Sequence, residues 1–294
     1  MDSFTNHQLQ LIIAQLDQAI YTHEQWYKNL LRILIAHLPP EEADLMPDAH
    51  QRCRFGQWYL GPQATFIQKN PAFNSLGDAH EQMHSNARIL LQRISDGMTI
   101  PVTDWDNFDN TLDRMRLEIQ ALRHEFSEIA RNRDPLTEAQ TRASLLPELR
   151  EQHALVKRGR QACALAMFDL DHFKRINDEY GHAAGDAVLV STVKCVKSYL
   201  RPYDRIYRYG GEEFIICMPS TTIDQASHVA ERMRSAIADQ HVQSDKACDE
   251  LQVTASFGVT AFSQSQTVQE SLGRVDNAMY EAKSTGRNCV VVDV

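Results

Sequence analysis

Arg208-Tyr209-Gly210-Gly211-Glu212-Glu213-Phe214, followed by Ile215-Ile216-Cys217-Met218, is the stretch whose reading decides the fold. Two adjacent glycines between apolar-rich runs predict a tight hairpin tip, because glycine adopts positive φ without steric cost. Two carboxylates follow the turn directly, and then a buried strand. A glycine turn admits a bulky polyanion to the backbone, and a carboxylate beside it can hold a divalent cation. Taken alone, the tip reads equally as a plain charged hairpin. A second run shifts the balance: Met167-Phe168-Asp169-Leu170-Asp171-His172-Phe173-Lys174-Arg175-Ile176-Asn177-Asp178 predicts a hydrophobic strand that ends in carboxylates and turns into a helix.

Together these runs resemble the GGDEF family of diguanylate cyclases, in its GGEEF form. The resemblance covers about residues 134 to 294 and rests on six motifs in the family's order. They are Asp134-Pro135-Leu136-Thr137, the FDLDHFKRIND run, Gly181-His182 with Gly185-Asp186, RYGGEEF, Ala255-Ser256-Phe257-Gly258-Val259, and the segment from Asp276 to Asn288. One departure stands out. Where the family reads D-x-L-T-G-L-x-N-R, this chain has Glu138, Ala139 and Gln140, while Asp134 and Arg142 keep the expected ion pair.

The resemblance implies joining of two GTP molecules into cyclic di-GMP with release of pyrophosphate. Phosphoryl transfer needs cations to neutralise developing charge, and carboxylates to hold them. Asp169 and Glu212 are then the magnesium ligands, with the Leu170 carbonyl as a third. Glu213 assists metal binding or takes the hydroxyl proton, alternatives that the residues leave open. The amides of His172 and Phe173 at a helix start, with the Lys174 ammonium, form an anion site. Lys283 and Arg287 resemble the family's second phosphate clamp. Asn177 and Asp186 occupy the positions that read guanine, where a carboxylate accepts from two donors that adenine lacks; this is worth ~10²-fold or more in discrimination. Arg201 and Asp204 of Arg201-Pro202-Tyr203-Asp204 match the RxxD product-inhibition site, with five residues between the motif and the first glycine. A lone Asp169 or Asp171 would read as a helix N-cap.

Composition frames this reading. The chain has 294 residues, enough for two domains, with a net charge of −9. Such a balance predicts neither nucleic-acid nor anionic-lipid binding. No apolar run is long enough to span a bilayer, no basic leader precedes a cleavage motif, and the six cysteines lack framework spacing. A reduced, cytoplasmic protein is expected.

The N-terminal part reads as helices. Leu9, Ile12, Ile13, Leu16 and Ile20 recur at helical spacing, as do Trp26, Leu30, Leu31, Ile33 and Leu34. Pro39-Pro40 interrupts, and further helices are predicted after Asp48 and from His80 to Ile94. Four helical segments with short connections predict an up-down bundle. His80 and His84, at i and i+4, share a helix face that can present two imidazoles to one ion. Here the chain resembles the chemoreceptor zinc-binding (CZB) domain, through His23-Glu24-Gln25-Trp26, Cys53-Arg54-Phe55-Gly56-Gln57-Trp58 and the His80/His84 pair. The resemblance implies zinc on His23, Cys53, His80 and His84, a closed set suited to a structural or sensing role. His50 has no counterpart in the motif and reads as surface.

From Trp105 the apolar residues Phe108, Leu112, Met115, Ile119, Leu122, Phe126 and Ile129 alternate intervals of three and four, a heptad seam. Its first part reads as bundle core, and its extension towards Arg133 as a two-stranded stalk that would make a parallel homodimer. The expected architecture is thus α+β with two domains. Residues 1–130 form a four-helix zinc-sensing bundle ending in the stalk, and residues 131–294 a cyclase domain with a mostly antiparallel central sheet. The expected function is a diguanylate cyclase inhibited by zinc and by product, with adhesion and biofilm as the usual output. The alternative is a silent cyclic di-GMP receptor with a zinc-stabilised dimerisation module.

Overall fold

The structure, a computed structural model, describes residues 4–243 and 250–293; Cys248 lies outside the described residues. The chain divides into two compact units, Met1–Ala130 and Arg131–Val294.

The first unit is helical. Helix α1 (Asn6–Ala36) merges both apolar runs into 31 residues, because nothing between them breaks the 3.6 period. Thr5 and Gln8 close its start reciprocally as a capping box, and His37 ends it in the left-handed region just before the two prolines. The next side of the bundle is broken into α2 (Glu42–Leu45), α3 (Ala49–Arg52) and α4 (Arg54–Leu60). Helix α5 (Pro71–Ser95) starts on the Asn70 side chain, which accepts from the amides of Ala72 and Phe73, with Pro71 in the first turn. Helix α6 (Val102–Arg131) closes the unit.

The heptad residues of α6 are spent inside their own bundle. Phe108, Leu112, Met115, Ile119, Leu122 and Phe126 are at most 1 % exposed, and Trp105 and Ile129 pack partly buried on the same core. The seam assigned in part to a stalk is therefore filled within the monomer as far as Phe126.

The second unit is a layered α/β fold. Its elements are β1 (Gln140–Thr141), α7 (Arg142–Lys157), β2 (Cys163–Leu170), α8 (Phe173–Tyr180), α9 (His182–Tyr199), β3 (Arg205–Arg208), β4 (Glu213–Pro219), α10 (Ile223–Ala238), β5 (Ala255–Ala261), α11 (Val268–Ser284) and β6 (Val290–Asp293). The strands run in the order β1-β3-β4-β2-β5-β6. The three central pairings are antiparallel and the two flanking ones parallel.

Strand β2 is buried along all eight residues, which explains its apolar run from Cys163 to Phe168 and makes Asp169 the exception. Its side chains alternate between two cores: Ala164, Ala166, Phe168 and Leu170 face one, Cys163, Leu165 and Met167 the other. Phe168 stacks between Phe214 and Phe257 on the neighbouring strands, with centroids 5.1 and 4.9 Å away. Val275 and Met279 of α11 line the second core. That helix approaches β5 so closely that a Cβ on Gly258 would stand 2.3 Å from the Met279 amide nitrogen and 2.4 Å from the Val275 oxygen. Only glycine permits this distance, and it brings the C-terminal end of α11 to the end of β2. Among the described residues, no helix is long and apolar enough to cross a membrane.

Candidate functional site

Asp169 has the same parity as Met167, so the pleat turns its carboxylate towards α11. Lys283, near the end of that helix, reaches it with Nζ 2.8 Å from Oδ2. Register places Glu213 directly opposite Asp169 across β2 and β4, and the Leu170 amide donates to the Glu212 carbonyl at 3.4 Å. The hairpin tip is thereby stitched to the strand end. Asp169 is 3 % exposed, and its Oδ1 is buried with no hydrogen-bond partner. Burial raises its pKa, helped by Glu213 and Asp171 and opposed by Lys283. Burial likewise raises Glu212, and Asp169 adds to it. Two acids that hold their protons more tightly than usual, with one carboxylate oxygen orphaned, suit a divalent cation as their missing partner.

The tip is not built as its glycines predict. Neither Gly210 nor Gly211 has a positive φ. The turn closes through the Tyr209 and Gly210 amides, both donating to the Glu213 oxygen, at 2.8 and 3.2 Å. A Cβ on Gly210 would lie 2.3 Å from Glu213 Oε2, so a side chain there would push the Glu213 carboxylate aside. Arg208 completes the tip, donating to the Gly211 carbonyl at 2.7 Å and to Asp134 at 3.0 Å.

That contact corrects one expectation. Asp134 pairs with Arg208, and it also accepts from the amide and hydroxyl of Thr137. Arg142 lies over the Tyr209 ring at 4.3 Å. The altered turn seats Glu138 at φ 57° and buries Ala139 completely.

The other residues expected to meet the nucleotide lie on α8, α9 and the loop after α11. His172 precedes α8 in the left-handed region, followed by buried Phe173 and exposed Lys174. Asn177 sits over the start of α9, its Oδ1 2.0 Å from where a Gly185 Cβ would stand, and Asp186 is exposed beside it. Arg287 is exposed at φ 64°. In the RxxD turn, Arg201 is exposed while Asp204 is buried and accepts from the Arg201 amide at 2.8 Å. The two residues thus divide their labour: Asp204 shapes the turn and Arg201 presents a cation.

In the helical unit, α1, the α3–α4 junction and α5 bring together His23, Cys53, His80 and His84, whose ligand atoms all lie within 4.8 Å of one another. Cys53 Sγ is 3.2 Å from His80 Nε2, which is 3.1 Å from His23 Nε2. Nδ1 of His23 lies 2.8 Å from the Ala19 carbonyl, an arrangement that leaves Nε2 as the lone-pair nitrogen. His84 Nε2 is buried without a partner. Burial depresses all three histidines, His84 to about 3, and raises Cys53. Neutral imidazoles packed with converging nitrogens are a ligand set waiting for a soft cation. Trp26 and Trp58 pack around it, with Trp26 4.9 Å from the His84 ring. His50 is not simple surface: it is half-buried, 6.4 Å from the His80 ring, with Nε2 3.9 Å from Glu81.

Two residues of the second unit escape sequence reading. Arg208, quoted only as part of a motif, ties the hairpin tip to Asp134. Asp171, which reads as a helix cap, accepts instead from Thr254, Ser256 and the Asn288 amide.

Two family models match the chain. One is described as "Diguanylate cyclase, GGDEF domain" and matches residues 131–289; the other, "Chemoreceptor zinc-binding domain", matches residues 23–91. Among curated relatives, the chain is 29% identical over 291 residues to diguanylate cyclase DgcZ of Escherichia coli K12, covering 97% of this chain and 95% of the relative. It is 39% identical over 161 residues to diguanylate cyclase DgcP of Pseudomonas aeruginosa, covering 53% of this chain and 23% of the relative. Among solved structures, the coiled coil and GGDEF domain of DgcB from Caulobacter crescentus, in complex with c-di-GMP, matches with a TM-score of 0.58 at 26% identity, over 63% of this chain and 98% of that one. Diguanylate cyclase SiaD from Pseudomonas aeruginosa, in complex with its activator SiaC, matches with a TM-score of 0.54 at 32% identity, over 81% and 95%.

Proposed function

The chain belongs to the GGDEF diguanylate cyclase family, and on that premise we infer that it condenses two GTP molecules into cyclic di-GMP under the control of zinc. The observation that carries the catalytic half is buried Asp169, its Oδ1 unpartnered, between the Glu212–Glu213 tip and Lys283.

In this reading Asp169, Glu212 and the Leu170 carbonyl hold magnesium, which when bound supplies charge neutralisation at the triphosphate. The chain's own groups do the rest. The amides of His172 and Phe173, with Lys174, Lys283 and Arg287, hold phosphate oxygens, and Asn177 and Asp186 read guanine. Each 3′-hydroxyl oxygen forms a bond to the α-phosphorus of the other nucleotide as the bond to pyrophosphate breaks. The hydroxyl proton leaves towards Glu213 or water. Since one unit binds one GTP, two copies must face each other, so the active form is a homodimer. Arg201 and Asp204 bind product and lower the rate. A chain working on cytosolic GTP acts in the cytoplasm, and its product would feed adhesion and biofilm.

In the helical unit, His23, Cys53, His80 and His84 hold zinc with no open position, which makes the ion an effector rather than a catalyst. We assign the effect as inhibition, because a tied bundle restricts domains that must meet productively.

The test is turnover of GTP by purified protein with magnesium, the product identified chromatographically. Glu212→Gln removes one charge at constant shape and should cut turnover by ~10²-fold or more. Turnover within about threefold of wild type sinks the metal assignment.

A further inference from the structure

Asp171 stands two residues beyond Asp169 and has no role in the chemistry described above. It is nevertheless among the best-bonded side chains of the unit. Its carboxylate, 4 % exposed, accepts from Ser256 Oγ at 2.7 Å on Oδ1, and from Thr254 Oγ1 at 2.6 Å and the Asn288 amide at 3.0 Å on Oδ2. A buried carboxylate is tolerated when its oxygens are filled in this way, and its charge shortens and strengthens each bond.

The three bonds do different things. Thr254 and Ser256 belong to the entry of β5, the strand already paired with β2, so their bonds reinforce neighbours in the sheet. The Asn288 bond is different: it reaches 117 residues along the chain, to the loop between α11 and β6. There Arg287 and Asn288 are consecutive non-glycine residues with φ of 64° and 47°. That conformation is tolerated by Asn288 but disfavoured for Arg287, where it persists because surrounding contacts impose it. Asp171 supplies one such contact; the Arg287 amide, donating to the Ala282 carbonyl at 3.0 Å, supplies another.

We propose that Asp171 is a positioning residue for the triphosphate: it pins the Asn288 backbone to the end of β2 and so fixes the loop from which the neighbouring Arg287 reaches phosphate. The proposal rests on the reading of Arg287 as a phosphate clamp. Its logic is that a carboxylate fixed to β2 carries the register of the strand end into the loop. Displacing a charged clamp by ~1 Å can cost ~10²-fold.

The test is a double-mutant cycle on initial rates of GTP turnover in the full chain. Asp171→Ala should raise KM for GTP about tenfold, with kcat changed less than about threefold. Arg287→Ala should raise KM at least as much, and the double variant should match Arg287→Ala alone, because the tether then has nothing left to place. Asp171→Asn keeps an oxygen for the Asn288 amide and should hold KM within about threefold of wild type, a rescue that mere loss of folding would not give.

Additive effects in the cycle overturn the tether while leaving Arg287 as a clamp. An Arg287→Ala variant with wild-type KM overturns the clamp and the tether together. A measurement on the unaltered protein covers the case in which Asp171→Ala does not fold: by hydrogen exchange, the Asn288 amide should be protected ~10²-fold or more. Exchange at the unprotected rate overturns the tether.

Discussion

Lys283 Nζ lies 2.8 Å from Asp169 Oδ2, so a cation assigned to substrate phosphate rests on a carboxylate assigned to magnesium. The pair spans α11 and β2 at the point where Gly258 lets the helix close on the sheet. Substrate and metal arriving together would share out these two charges, phosphate taking the lysine and the metal the carboxylate.

This contact predicts a shift in pH dependence. Burial raises the Asp169 pKa and Lys283 opposes the rise. Replacing Lys283 with Met removes the lowering influence, so Asp169 should hold its proton to higher pH. Since the ionised form binds the metal, the acid limb of kcat/KM at limiting magnesium should move to higher pH in Lys283→Met. A limb that stays in place, or moves to lower pH, contradicts the assignment.

Feedback should separate from catalysis at Arg201. Its side chain is exposed, while the neighbouring turn is held by Asp204 through the Arg201 backbone amide, which survives substitution. Arg201→Ala should therefore leave the fold and initial rate near wild type and raise the product concentration needed for half-inhibition by ~10-fold or more, the loss of a bidentate guanine contact. An unchanged inhibition curve would reduce the motif to a surface turn.

Zinc loading should release about one proton per ion near neutral pH. The histidines are depressed by burial and already neutral, His84 down to about 3, whereas the raised Cys53 thiol must give up its proton to bind. Calorimetry in two buffers of different ionisation heat counts the protons directly. A release close to four, three from the imidazoles and one from the thiol, would mean that the imidazoles are charged in the metal-free protein.

The regulatory sign is tested by chelation. Removing zinc should raise GTP turnover, and Cys53→Ala should raise the basal rate and blunt the response. Unaltered basal rate and response in Cys53→Ala would remove zinc from the control of the enzyme, and a lowered rate on chelation would reverse the sign.

Much of this architecture is legible in the sequence because it is written in periods. The apolar run that ends in Asp169 and the helical spacing from Leu9 to Leu34 place a buried strand and a buried helix face without reference to anything distant. What escapes is set by long-range packing. Nothing near Arg208 announces that it will pair with Asp134, 74 residues away, in place of Arg142. The seam of α6 has the same pattern whether its partner is a second copy or its own bundle, and the buried Phe126 decides only in three dimensions. His50 reads as surface because its nearness to His80 depends on how α3 is laid against α5.

Three of the four proposed zinc ligands ride on long helices, while Cys53 sits where two short helices, α3 and α4, meet. Helices this short are held by the packing around them rather than by their own length, and Cys53 Sγ itself caps α4 through the Gly56 amide. The affinity of the cluster is therefore adjustable from residues that never touch an ion. Substitutions between Pro39 and Asn70 that stiffen or loosen the joint would move the concentration at which the protein responds, with the ligands themselves unchanged.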